Sequence, residues 1–203
     1  MSDTFEISGK EFSTSNVCII AEVAQAHDGS LGIAHSYIDA AAECGVDAIK
    51  FQTHIASAES TLKDQWRVKF SYQDDSRFDY WKRMEFTKQQ WKELKEHADE
   101  KGLIFMSSPF SLEAVDLLED IGVEVWKIAS GEITNKPLLE KVCLTGKPIL
   151  ISSGMSNLEE LESTIHFLKS KSANIGIFQC TSMYPCPPEK TGINIIPELR
   201  KKF

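Results

Sequence analysis

The stretch Glu124–Ile133, EVWKIASGEI, sets a lysine inside an apolar run and closes on Ser-Gly-Glu. Val125, Trp126, Ile128 and Ala129 read as a strand buried on both faces, the pattern of a parallel sheet covered by helices. An ammonium in such a strand is costly unless something anionic meets it. Lys127 therefore has two readings: a structural ion pair or a waiting site for an anionic ligand. Glu132, just past the strand end, places a carboxylate beside it.

Similar runs recur on either side. They lie at 17–24 (VCIIAEVA), 47–53 (DAIKFQT), 103–108 (LIFMSS), 148–153 (PILISS) and 174–181 (NIGIFQCT). Between them the apolar residues take helical spacing, as in 33–44 (IAHSYIDAAAEC) and 88–101 (KQQWKELKEHADEK). Gly45, Gly102 and Gly122 follow three of these segments where a C′ glycine is expected. Thr87 with Gln90, and Ser156 with Glu159, have capping-box spacing, and Ser111 is placed to cap the next helix. Alternating strands and helices imply an α/β fold with a parallel sheet.

The polar residues decide between a barrel and an open sheet. Lys50 and Gln52 share one side of their strand, and Lys127 shares a side with Ala129. Polar groups on inward positions near strand ends suit the mouth of a (β/α)8 barrel. A doubly wound sheet would more often open on G-x-G-x-x-G, and AQAHDGSLG (24–32) is not such a loop. We expect a TIM-type barrel truncated after about six strand–helix units, over residues 17–203. A hairpin segment (1–16) precedes it, centred on FEISGKEF (5–12). A closed barrel needs eight units, so the sequence reads as incomplete at its C-terminus. The long aromatic segment His54–Glu85 interrupts the rhythm, with Trp66, Arg67, Phe70, Tyr72, Arg77, Phe78, Tyr80 and Trp81. It is either a substrate lid or an insertion that packs on a partner subunit.

Composition narrows the class. The 203 residues carry 22 basic and 30 acidic side chains, a net charge of −8, which argues against a nucleic-acid partner. The five cysteines are odd in number and form no Cys-x-x-Cys pair, as expected of a reduced, cytoplasmic chain. The N-terminus lacks a secretory pattern, and no apolar run reaches membrane-spanning length. His35, His97 and His166 sit on helical patterns and read as surface residues, whereas His27 follows the first strand.

Superposed strand ends gather Glu22, His27, Lys50, Gln52, Ser107, Ser108, Lys127, Ser130, Glu132, Ser152, Ser153, Gln179, Ser182 and Tyr184. Two lysines with several hydroxyls describe a phosphate or carboxylate site, the lysines supplying charge and the hydroxyls direction. Glu22 and Glu132 are placed to manage protons or orient a hydroxylated substrate. A Schiff-base lysine, with Lys50 depressing the pKa of Lys127, is the competing chemistry.

In order, IIAEVAQAHDGSLGIA, DAIKFQTH, LIFMSSPF, KIASGEITN, KPILISSGM and CTSMYPCPP resemble the motifs of the sialic acid synthase (N-acetylneuraminate synthase) family. The resemblance implies condensation of phosphoenolpyruvate with an N-acylmannosamine-type amino sugar to a nonulosonic acid and phosphate. It implies a barrel, a C-terminal antifreeze-like domain, a homodimer and a divalent metal, manganese or magnesium. By motif, Lys50, Ser108, Lys127, Ser130, Ser152, Ser182 and Tyr184 would hold phosphoenolpyruvate. Gln52 and Glu132 would contact the amino sugar, with His27 nearby, and Glu22 would stand beside the reacting carbons. The enolpyruvate C3 would attack the sugar aldehyde, water would add at C2, and the intermediate would lose phosphate. The family's metal-ligand histidines would lie beyond residue 203, so no metal ligand is assigned here.

The first motif departs from the usual Glu-Ile-Gly-x-Asn-His-x-Gly, with Ala24 at the glycine and Ala26 at the asparagine. Ser108 stands where threonine is common. Other phosphoenolpyruvate-condensing synthases, or a non-catalytic scaffold if the chain naturally ends at 203, are the alternative functions. No nucleic acid or membrane partner is expected.

Overall fold

The computed structural model describes residues 4–66, 68–171 and 173–203. The first three residues of the expected hairpin segment, and Arg67 of the aromatic segment, lie outside the described residues. The chain divides into two compact units, Met1–Glu124 and Val125–Phe203.

Unit 1 opens with β1 (Phe5–Ile7) and β2 (Lys10–Phe12), antiparallel, with Phe5 opposite Phe12. The turn falls at Ser8-Gly9, both at positive φ (53° and 72°), the conformation that lets two residues reverse a hairpin. Ser8 Oγ donates to Glu124 Oε2 at 2.6 Å, tying the hairpin to the end of the unit. Then come β3 (Ile20–Ala24), α1 (Leu31–Glu43), β4 (Ala48–Thr53), α2 (Ala56–Glu59), α3 (Arg77–Met84), α4 (Lys88–Glu100), β5 (Ile104–Pro109) and α5 (Leu112–Asp120). β3 pairs parallel with β4 and β4 with β5.

Burial explains the pairing. Ala48, Ile49 and Phe51 of β4 are fully buried, as are Leu94 and Ala98 of α4. Phe51 stacks on Phe105 (centroids 5.6 Å) and meets the edge of Trp91 (5.9 Å). Each of the buried Ile, Leu and Phe side chains contributes about 1.5–3 kcal/mol by leaving water. Trp91, Leu94 and Ala98 fall on one face of α4, at helical spacing.

Unit 2 repeats the alternation with β6 (Trp126–Ile128), α6 (Lys136–Cys143), β7 (Ile149–Ser152), α7 (Leu158–Ser170), β8 (Ile175–Phe178) and α8 (Ile196–Lys202). Its three strands are parallel, with Lys127 opposite Leu150 and Ser152 opposite Phe178. Across the two units the chain thus runs through six strand–helix units, as the sequence pattern indicates. β6 is shorter than the apolar run suggests, because the chain turns at Ala129 into a 3-10 turn over Ser130–Glu132.

Helix boundaries test the capping chemistry. Thr87 and Gln90 form the expected capping box on α4, and Ser111 Oγ accepts from Ala114 N at 3.0 Å. Gly45, Gly102 and Gly122 follow α1, α4 and α5 with φ of 70°, 74° and 81°. The expectation for α7 is corrected. Its cap is Asn157, whose side chain accepts from Glu160 N while the Glu160 carboxylate accepts from Asn157 N. Ser156 lies one residue too early.

The segment 54–85 holds two helices that the sequence reading left out. Ser76 and Asp79 form a capping box on α3, and Glu85 Oε1 accepts from Ala56 N at 2.6 Å, tying the end of α3 to the start of α2. Arg83 clamps this segment to the turn after β3. It donates to both Asp74 oxygens, to Asp28 Oδ1 at 2.6 Å and to Asp28 O at 2.9 Å. The Arg83 guanidinium holds the Asp74 carboxyl below the usual carboxylate range. A Cβ on Gly29 would lie 2.3 Å from Arg83 O, so the clamp demands glycine there. His35 and His97 correct another expectation. They are half-buried and face each other, Nδ1 to Nδ1 at 2.9 Å, while His166 is exposed as expected.

Candidate active site

In unit 1 the strand register places Glu22, Lys50, Gln52 and Ser108 on one face. Glu22 lies opposite Lys50 and Gln52 opposite Ser108, and alternate residues of β4 share a side. The Lys50 ammonium pairs with the Glu22 carboxylate; its side chain is 10 % exposed and that of Glu22 41 %. Lys50 is thus balanced by an acid from the neighbouring strand, while Glu22 keeps access to water. Ser108 is buried on this face, and Ser107 lies on the other, hydrogen-bonded to Thr53 Oγ1 at 2.7 Å.

His27 is fully buried. Its ring packs against Phe86 (4.8 Å), Nδ1 accepts from Gly29 N at 3.1 Å, and Nε2 has no hydrogen-bond partner. Burial lowers its pKa to about 4, so the ring is neutral near pH 7.

In unit 2 the Lys127 ammonium donates to Ser152 Oγ and to Ile128 O (3.2 Å), and lies 5.4 Å from the Phe178 ring centroid. Lys127, Ser152 and Phe178 share one face by register. Ser130 and Glu132 sit half-buried on the 3-10 turn that follows β6. Asn135 Nδ2 donates to Glu132 Oε2 at 2.7 Å while Asn135 Oδ1 caps α6, so one asparagine orients the carboxylate and starts the helix. Ser153 Oγ donates to Gln179 Oε1 at 3.3 Å, and Ser182 Oγ to Gly154 O at 2.9 Å. Tyr184 is 96 % exposed and takes no part in the packed cluster.

Gln25, His54 and Glu59 join the unit 1 group without having been singled out from sequence. Gln25 Nε2 donates to Gln52 Oε1 at 3.3 Å, and His54 links Gln52 to Glu59. Position was the available signal, since His54 follows Gln52 by two residues. All five cysteines are unpaired, and burial, reinforced by the Asp47 charge, pushes the Cys18 thiol up to about 11. Among the described residues, no three His, Cys, Asp or Glu side chains are grouped to hold a metal ion, and no helix is long and apolar enough to cross a membrane.

Parallel strands with helices between them, and polar side chains on one strand face in each unit, are the arrangement of an α/β barrel-type protein. Residues 37–203 match the model of the NeuB family, and the chain belongs to that family. It is 36 % identical over 191 residues to N,N'-diacetyllegionaminic acid synthase of Campylobacter jejuni, covering 91 % of this chain and 57 % of that protein. It is 34 % identical over 188 residues to human N-acetylneuraminate-9-phosphate synthase, covering 91 % and 52 %. A crystal structure of N-acetylneuraminic acid (sialic acid) synthetase from Leptospira borgpetersenii, in complex with citrate, matches with a TM-score of 0.85 and 29 % identity. That match covers 100 % of this chain and 68 % of that one. The expected fold class, a β/α barrel represented by six strand–helix units, is the one this likeness shows. The chain spans about half the length of the curated relatives it matches.

Proposed function

We propose that this chain is part of a nonulosonic acid synthase that condenses phosphoenolpyruvate with an N-acylmannosamine-type amino sugar, releasing phosphate. The observation that carries the reading is a buried strand lysine in each unit, Lys50 and Lys127, set among hydroxyls and carboxylates in a chain of the NeuB family. Phosphoenolpyruvate carries a phosphate and a carboxylate, and buried ammonium groups with serine hydroxyls match both.

Lys127 with Ser130, Ser152, Ser182 and Tyr184, and Lys50 with Ser108, hold phosphoenolpyruvate. The lysines stabilise anionic charge as the phosphate leaves, an effect that is strong where water is excluded. Gln52 and Glu132 contact the amino sugar. His27 remains in the substrate set on the strength of its unpartnered Nε2. Glu22, paired to Lys50 yet still open to water, is the carboxylate that manages the proton beside the reacting carbons. A divalent metal, manganese or magnesium, is the cofactor of the whole protein in this reading. Among the described residues, no three His, Cys, Asp or Glu side chains are grouped to hold it. The working protein is a homodimer in the cytoplasm.

The test is phosphate release from phosphoenolpyruvate by the polypeptide as its gene encodes it, with manganese, across a panel of 2-acylamino sugars. Sugar-dependent release, with a product mass equal to sugar plus pyruvate, is the expected result. No release with any sugar, from protein that still binds phosphoenolpyruvate, would overturn the synthase reading in favour of a binding role.

A further inference from the structure

The His54 ring is held in one plane. It stacks between Trp81 (centroids 4.0 Å apart, planes at 22°) and Phe110 (4.3 Å, 12°). Both of its nitrogens are engaged. Nδ1 lies 2.6 Å from Glu59 Oε1, and Nε2 lies 3.2 Å from Gln52 Oε1. The side chains of His54 and Glu59 are 4 % and 10 % exposed.

Counting donors fixes what this arrangement requires. A neutral imidazole has one N–H and one lone pair. If Nδ1–H served the Glu59 carboxylate and Nε2 were bare, Nε2 would face the lone pairs of Gln52 Oε1, acceptor against acceptor. With the Gln52 oxygen facing His54, these contacts need a hydrogen on Nε2 and another between Nδ1 and Glu59. With one proton fewer, both glutamine amides would turn over. Gln52 would then give its NH2 to His54 Nε2, and Gln25 Oε1, buried without a partner, would accept from Gln52. The proton count of the Glu59–His54 pair thus selects which end of the Gln52 amide faces His54 and which faces away.

We infer that His54 is a positioning residue: by donating from Nε2 to Gln52 Oε1 it turns the Gln52 NH2 outward, so that the site selects an amino sugar presenting an acceptor oxygen there. The inference rests on the reading of Gln52 as a sugar contact. Glu59 completes it by holding the other face of the imidazole, and Gln25 adds a second donor to the same Gln52 oxygen.

Two measurements on the full protein test this. In histidine-15N NMR, the His54 resonance, assigned by its loss in His54→Phe, should show a protonated Nε2; a lone-pair Nε2 overturns the inference. In kinetics, His54→Phe keeps the aromatic stack and removes both nitrogens. The amino-sugar KM should rise about tenfold, the worth of one oriented hydrogen bond, with phosphoenolpyruvate KM and kcat nearly unchanged. An unmoved amino-sugar KM overturns the inference. If His54→Phe fails to fold because Glu59 is left unpaired, the double variant His54→Phe/Glu59→Gln is read in the same way. Should the wild-type protein turn over no sugar, the synthase reading falls, and the protonation of Nε2 still decides the hydrogen bond to Gln52.

Discussion

The polar groups of unit 1 are joined side chain to side chain in a continuous run, whereas those of unit 2 meet in separate pairs, such as Lys127 with Ser152 and Ser153 with Gln179, or rest on backbone carbonyls. In unit 1, Gln25, Gln52, His54 and Glu59 form a continuous run, and Arg83 bridges Asp74 and Asp28. In unit 2, Lys127 leans on Ile128 O and Ser152, Ser182 on Gly154 O, and Glu132 on Asn135 three residues away. A run of buried side chains is coupled, because removing one member strands the next. Local anchors are closer to independent, so a change at one leaves the others in place. The difference teaches that substitutions in unit 1 should act through their neighbours and those in unit 2 mainly where they fall.

The largest expected effect is in unit 2. Lys127→Ala should weaken phosphoenolpyruvate binding by more than about a hundredfold in calorimetry, the scale of losing a buried charged partner, with thermal stability nearly kept. Unchanged affinity would remove Lys127 from the ligand site and break the comparison on that side.

A smaller effect concerns acid. Burial holds the His27 pKa at about 4, below the ordinary 6.5, so the folded state binds fewer protons than the unfolded one. Stability is therefore whole above about pH 6.5 and falls as pH drops towards about 4. His27→Gln should flatten that limb in urea melts run across the range. A slope that stays the same would assign the acid sensitivity to other groups.

The smallest effect sharpens the account of local anchors. Asn157→Ala should cost about 1 kcal/mol in urea unfolding, the usual worth of a cap, while Ser156→Ala stays within about 0.5 kcal/mol. Equal costs at the two positions would mean that the cap is shared.

What the sequence showed follows from how local each signal is. Strands came through because near-continuous apolar runs need no partner to be recognised, as in AIKFQT and ILIS. Helix ends came through at Gly45, Gly102 and Gly122, because a positive φ leaves its mark in one residue. The start of α7 did not, since Ser156/Glu159 and Asn157/Glu160 offer the same spacing one residue apart, and only the backbone decides between them. In 54–85 the crowd of aromatic and charged residues masked α3, whose box uses Asp79 in place of the commoner Glu or Gln. Of the candidate site, alternation placed Lys50 and Gln52 on one side of their strand, whereas the shared face with Glu22 and Ser108 depends on the register between strands, which a single strand's sequence does not carry. The partnership of His54 with Glu59 was hidden, because α2 lies within that masked segment.

Ala24 stands where the family's first motif usually has glycine, and its φ is 49°, at the point where the register of β3 against β4 shifts. A side chain in that conformation costs about 1 kcal/mol or more relative to glycine. Alanine and glycine codons differ by a single base, so one mutation to glycine relaxes the backbone two residues from Glu22. The position is an evolutionary lever: a lineage can trade folding stability against stiffness at the carboxylate end of β3 without touching any polar group. Natural variation in this family should therefore shuttle between these two residues at this bend.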